Sequence, residues 1–226
     1  MQTRLVLLAG GTCALSVASL SLGAVTYLTQ DRSITAATSF DGSLQTITAP
    51  DFNPFVQTIN LSTNFPALNN TIGLNEAVAG IDCHLDPKKI KASGRLLARG
   101  GMTADGNTVA AGSAQATVRT TFRVDSASAF QLIASPRPLA GAKDKFKLKI
   151  EGDSGIVFSI DESTPPSIVQ TAGFFAAGDY SLEYQIELTA EDGTFDDSFE
   201  MTLVIPAPGA LGLAACAVFA AARRRR

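Results

Sequence analysis

His84 is the only histidine in the 226-residue chain, and it directly follows Cys83. An imidazole activates a thiol only where the two can face each other. Neighbouring residues on a strand point to opposite faces, so a strand here would leave the thiol buried or idle. Gly152-Asp153-Ser154-Gly155 has the form of a serine nucleophile turn, and His84, later aspartates and Ser154 stand in the order His, Asp, Ser. A polar, glycine-flanked turn between two strands accounts for the same residues. Glu191, Asp192, Asp196 and Asp197 crowd one segment and could offer oxygen ligands to calcium. Their spacing is not that of an EF-hand, and a solvated acidic turn is the expectation. One histidine and scattered thiols (Cys13, Cys83, Cys216) exclude a Cys/His zinc cluster. No catalytic residue, metal ligand or cofactor is expected.

Binding chemistry leaves more to weigh. Lys143, Lys145, Lys147 and Lys149 form a basic row that could meet a polyanion, but alternation with Phe146, Leu148 and Ile150 predicts the solvent face of an edge strand. Sugar binding usually needs a stacking aromatic, and the chain has no Trp. Tyr180 and Tyr184 share a face with Leu182 and Ile186 and read as core. Phe52, Phe55, Phe174 and Phe175 are therefore the exposed candidates for an extracellular polysaccharide. The net charge of −3 gives no footprint for nucleic acid. Five of the 18 Lys and Arg lie in the end segments, as Arg4 and Arg223 to Arg226. All 21 Asp and Glu lie between them, so the body is acidic.

Those ends are uncommonly apolar. Residues 1–26 read as a helical signal peptide, with Arg4 before an uncharged stretch. Ser21-Leu22-Gly23 forms a small-x-small pattern, placing cleavage between Gly23 and Ala24, with Ala24-Val25-Thr26 as a second choice. Export machinery and signal peptidase are the partners this implies. At the other end, Pro206-Ala207-Pro208-Gly209 breaks regular structure. An uncharged Ala- and Leu-rich stretch follows, and Arg223-Arg224-Arg225-Arg226 closes the chain. The 14 residues from Gly209 to Ala222 would make a helix of about 21 Å, short of a hydrocarbon core of about 30 Å. The arginines should stay on the cytoplasmic side.

The order Pro-x-Pro, short apolar helix, terminal arginines resembles the PEP-CTERM sorting signal of bacterial exported proteins. Pro206 and Pro208 match its two prolines, and Arg223 to Arg226 match its basic end. Ala207 stands in place of the family's glutamate. The resemblance implies an exosortase-like membrane transpeptidase as partner, and a transient membrane anchor on the way to the cell surface or extracellular space.

Between the ends, residues 27–205 read as strands. KDKFKLKI and IVFSI predict a hairpin about EGDSG. DYSLEYQIELT, SFEMTLVI and TVRTTFRVD each alternate apolar and polar residues. FQLIA (130–134), SITAATSF (33–40), SLQTIT (43–48), VQTINLS (56–62) and KIKASGRLLA (89–98) are weaker strands, and the Gly- and Ala-rich 99–114 reads as a long loop. No body segment shows capped helical periodicity. The expected fold is all-β, a jelly-roll-like β-sandwich between an N-terminal signal helix and a short C-terminal hydrophobic helix. Its expected function is that of a non-catalytic exported surface or matrix protein. The alternative is a carbohydrate-binding or adhesive jelly-roll module displayed by the same route.

Overall fold

The computed structural model describes residues 25–136, 143–162 and 168–206. The signal segment up to Ala24, and Ala207, Pro208 and Arg223 to Arg226 of the tail, lie outside the described residues. Among the described residues no helix is long and apolar enough to cross a membrane.

The described residues form thirteen strands in chain order. They are β1 (Val25–Thr38), β2 (Ser43–Thr48), β3 (Phe55–Ala67), β4 (Thr71–Asp86), β5 (Lys89–Met102), β6 (Val109–Ala110), β7 (Gly112–Val124), β8 (Ser128–Ser135), β9 (Lys143–Gly152), β10 (Gly155–Glu162), β11 (Val169–Phe175), β12 (Gly178–Ala190) and β13 (Gly193–Val204). Two antiparallel sheets result. The first runs β10-β9-β12-β7-β1-β2 and the second β11-β8-β13-β5-β4-β3, with β6 added to β5. They face each other as a β-sandwich, and the inward residues of both form one continuous core.

Alternation places the side chains. On β12, Tyr180, Leu182, Tyr184, Ile186 and Leu188 are buried; on β7, Val118, Thr120, Phe122 and Val124; on β13, Phe199, Met201 and Leu203. The expected hairpin about Asp153-Ser154 joins β9 to β10. Four inward aromatics each cover a glycine directly opposite on the next strand: Phe65 over Gly73, Phe199 over Gly94, Tyr180 over Gly152 and Phe130 over Gly173. The ring takes the volume that a side chain at the glycine would otherwise fill.

Three expectations change. First, 99–114 is not one long loop. β5 continues to Met102, β6 occupies 109–110, and β7 begins at Gly112. The glycines there permit close crossing: a Cβ at Gly112 would lie 2.1 Å from the Glu76 carbonyl oxygen. Second, β9 is an interior strand between β10 and β12, so its lysines do not guard an edge. Third, β4 and β11 are strands that alternation did not mark.

Strand directions gather both body ends at one pole. The Val25 N–H donates to the Pro87 carbonyl at 3.0 Å, and the Ile205 N–H donates to the Lys88 carbonyl at 2.9 Å. The Tyr27 hydroxyl donates to the Asp86 carbonyl at 2.6 Å. The β4–β5 turn thus clasps the first and last strands together. The opposite pole carries the turns 39–42, 68–70, 103–108 and 191–192.

Candidate functional site

The outer face of the first sheet is laced with ion pairs. Lys147 reaches Glu183 at 2.8 Å, Glu183 accepts from Arg119 at 3.0 Å, and Arg119 approaches Asp31 at 3.8 Å, so one row crosses β9, β12, β7 and β1. Lys145 meets Glu187 at 3.3 Å, Lys149 meets Glu151 at 2.6 Å, and Arg123 forks onto Asp179 at 2.7 and 2.9 Å. Partial burial alone would push the Glu183 carboxyl up. Hydrogen bonds from Lys147 and Arg119 outweigh it and hold the group below the usual carboxylate range. The expected lysine row is therefore ion-paired rather than a free basic patch, Lys145 and Lys147 across to β12 and Lys149 along β9 itself; the side chain of Lys143 lies outside the description. A shallow groove of about 370 Å³ crosses this face between Thr29, Asp31, Arg119, Thr121 and Glu183. Its Thr29 and Thr121 hydroxyls lie 2.6 Å apart. Such a groove offers hydroxyl and carboxylate hydrogen bonds and no aromatic platform.

The other candidates separate. Cys83 is fully buried and His84 faces outward, 2.7 Å from Asp82. Burial pushes the Cys83 thiol up to about 11, the reverse of an activated nucleophile. His84 lies on β4 of one sheet, and Ser154 sits exposed in a hairpin of the other. The four acidic residues do not converge. Asp196 faces out and binds Arg95 through both oxygens, whereas Asp197 faces in and is buried. Among the described residues no group of His, Cys, Asp and Glu could hold a metal ion.

Two of the four candidate aromatics are misplaced by the sequence reading. Phe55 and Phe175 are core residues at 4% and 0% exposure. Phe175 stacks on Phe130 with ring centres 4.3 Å apart. Phe52 and Phe174 remain exposed, at 42% and 75%. They stand apart, Phe52 beside Tyr27 and Phe174 on edge strand β11.

Sequence reasoning missed Arg32, which is fully buried. Its Nε donates to Gln30 Oε1 at 3.0 Å and its Nη1 to the Cys83 carbonyl at 3.3 Å. Its Nη2 donates to the carbonyls of Asn53, at 2.9 Å, and Asp51. The guanidinium also lies 5.8 Å from the Phe55 ring centre. These bonds tie the 49–54 crossing to both sheets. Nothing in the spacing of Arg32 separates it from the surface arginines.

Two aspartates lock turns at the far pole. Asp41 accepts from Thr63, Thr38 and Ser43, and Asp105 from Thr103, Asn107 and Thr108. Hydrogen bonds from Thr63 first, then Thr38 and Ser43, hold the Asp41 carboxyl far below its ordinary range. Those from Thr103 first, then Asn107 and Thr108, do the same for Asp105. Folding lowers both values, so their stabilisation is complete above the unfolded range near about pH 4 and drains as pH falls toward the folded values. Asp41→Asn/Asp105→Asn should therefore flatten the loss of thermal stability below about pH 4. An unchanged acid slope in pH-dependent melting curves would remove these turns as its source.

No protein-family model matches the chain, and no curated protein matches it. Solved structures resemble it only distantly. The infectious bursal disease virus VP2 subviral particle matches at 11% identity over 83% of this chain, with a TM-score of 0.23. The GH31 alpha-xylosidase from Xanthomonas citri matches at 10% identity over 78% of this chain and 28% of that chain, with a TM-score of 0.21. Promiscuous carbohydrate-binding modules of the β-sandwich superfamily match at 11% over 79% of this chain and 72% of that chain, with a TM-score of 0.16. The chain spans 58% of the length of the viral chain. At these scores the likeness carries no argument about function.

Proposed function

We propose that this is a non-catalytic exported protein, routed to the cell surface or extracellular matrix by its C-terminal tail. One observation carries the reading: Pro206-Ala207-Pro208, an uncharged apolar stretch and Arg223 to Arg226 follow one another without interruption. The placement of the body suits it. Among the described residues Ile205 is the last core residue, 2% exposed, and Pro206 directly follows it. An extended Pro-Ala-Pro stretch at the membrane–water boundary is a form of chain that a membrane transpeptidase can grip.

Intact-mass measurement of the protein from its native host tests this. The mature chain should end near Pro208 and lack residues 210–226, and replacing Arg223 to Arg226 with Ser should release unprocessed protein. A mass that still contains the four arginines would make the segment a plain anchor.

The alternative is a carbohydrate-binding or adhesive jelly-roll module displayed by the same route. It draws on exposed Phe174 and on the hydroxyl-lined groove over Thr29 and Thr121. A glycan array separates the two: saturable binding lost in Phe174→Ala favours the module.

A further inference from the structure

On the outer face of the first sheet, side-chain rows cross the strands in register. Arg123 meets Asp179 in one row, and Glu183, Arg119 and Asp31 form another. Between them runs a row of short hydroxyls: Ser181 on β12 stands opposite Thr121 on β7, which stands opposite Thr29 on β1. Glu151 on β9 closes the row at its far end. Long, ion-paired side chains thus flank short ones, and the difference in reach makes a trench. The hollow over Thr29 and Arg119 continues into a second of about 370 Å³, which shares Thr121 and Ser181 and adds Leu28, Asp153 and Asp179. From β9 to β1 the floor spans about 14 Å, at about 4.8 Å from strand to strand. The register irregularity between Tyr27 and Thr29 leaves Leu28 outside the ladder, 42% exposed, at the β1 end of the trench.

We propose that this trench binds a strand of neutral polysaccharide lying across β12, β7 and β1. The inference rests on the carbohydrate-binding reading above and gives it a site apart from Phe174. An extended peptide has no backbone to pair with here, because the ladders β9–β12, β12–β7 and β7–β1 use the main-chain groups of the floor. Recognition falls to side chains, and these are hydroxyls and carboxylates. Among the described lining residues, the carboxylates of Asp31, Glu151, Asp153, Asp179 and Glu183 face a single lining cation, Arg119, which disfavours a polyanion. A free cation gains little either. Arg119 already serves Asp31 and Glu183, Arg123 serves Asp179, and Lys149 serves Glu151. An ionised carboxyl has about four acceptor positions, more than these pairs use, and sugar hydroxyls can donate to the rest. The Thr and Ser hydroxyls of the floor both donate and accept, and Leu28 meets the C–H face of a ring.

Isothermal titration calorimetry on the full chain tests the proposal, in a polyoxyethylene detergent that carries no sugar. The probes are neutral hexasaccharides of glucose, mannose and galactose, with an oligoguluronate of the same length as the anionic control. At least one neutral probe should bind saturably, and the oligoguluronate should not. Thr29→Val/Thr121→Val/Ser181→Ala strips the floor hydroxyls while nearly keeping its shape, and should weaken that binding at least about tenfold. Ser181→Arg, a single change on the outward face, fills the trench and should cause a similar loss. An unchanged melting temperature certifies the fold of either variant. Binding indifferent to both variants but lost in Phe174→Ala would overturn the trench and leave the carbohydrate-binding reading standing. Binding of none of the neutral hexasaccharides would overturn both, and a preference for the oligoguluronate would overturn the trench as a neutral site.

Discussion

Arg32→Leu should lower the unfolding free energy by about 3 kcal/mol or more, because it strips the donor from several buried acceptors at once. The guanidinium is fully buried and meets no carboxylate in its hydrogen-bonded cage. Its charge is balanced by the carbonyls of Asp51, Asn53 and Cys83, the amide oxygen of Gln30 and the Phe55 ring. Leucine fills part of the volume but leaves those acceptors unpaired, at about 1–3 kcal/mol for each that stays dry. Lysine keeps the charge but cannot span carbonyls in three directions, so Arg32→Lys should fall between the two. Denaturant unfolding measures both. A cost for Arg32→Leu below about 1 kcal/mol would mean that water reaches the 49–54 crossing once the guanidinium is gone.

Gly94→Val is expected to abolish cooperative folding, a loss of more than about 4 kcal/mol. A Cβ at Gly94 would sit 2.1 Å from the Gly80 carbonyl oxygen and 2.6 Å from the Phe199 ring. The ring could move. The carbonyl belongs to β4, which pairs with β5 from Glu76 to Asp86, and cannot move without opening that ladder. Phe199→Leu should therefore fail to rescue Gly94→Val, whereas a clash with the ring alone would be relieved. Near-native far-ultraviolet dichroism and a sharp melt for Gly94→Val would show that the strands can separate locally.

The strands that were legible in the sequence share one property. β7, β9, β12 and β13 alternate large apolar residues with charged or polar ones, so a period of two stands out over several turns of the pleat. β4 hides because its buried face is Ala77, Ala79, Ile81 and Cys83, and Val78 lies on the other face. Small inward residues against an apolar outward one erase the contrast. β5 and β7 were cut short for a related reason. Glycine is a loop residue by propensity, yet Gly100 and Gly112 serve where two backbones nearly touch, which no local window reveals.

The candidate site followed the same division. The outward face of Lys145, Lys147 and Lys149 on β9 was legible, since it needs only alternation. The partners of Lys145 and Lys147 were not, because Glu183 and Glu187 become neighbours only when β12, more than thirty residues later, pairs beside β9. Phe174 and Phe175 show the limit clearly. Adjacency requires that one face in and one face out, but only packing against Phe130 and Phe122 decides that Phe175 is the buried one.

The sequence by itself determined the strand-rich body and the apolar, arginine-ended tail, because composition and local period are properties of short segments. Tertiary structure decided the rest. It buried Arg32, placed four rings over four glycines, and brought Val25 and Ile205 to one turn. Each depends on which distant strand lies alongside, and strand order is set by packing the two sheets together, not by any residue's own preference.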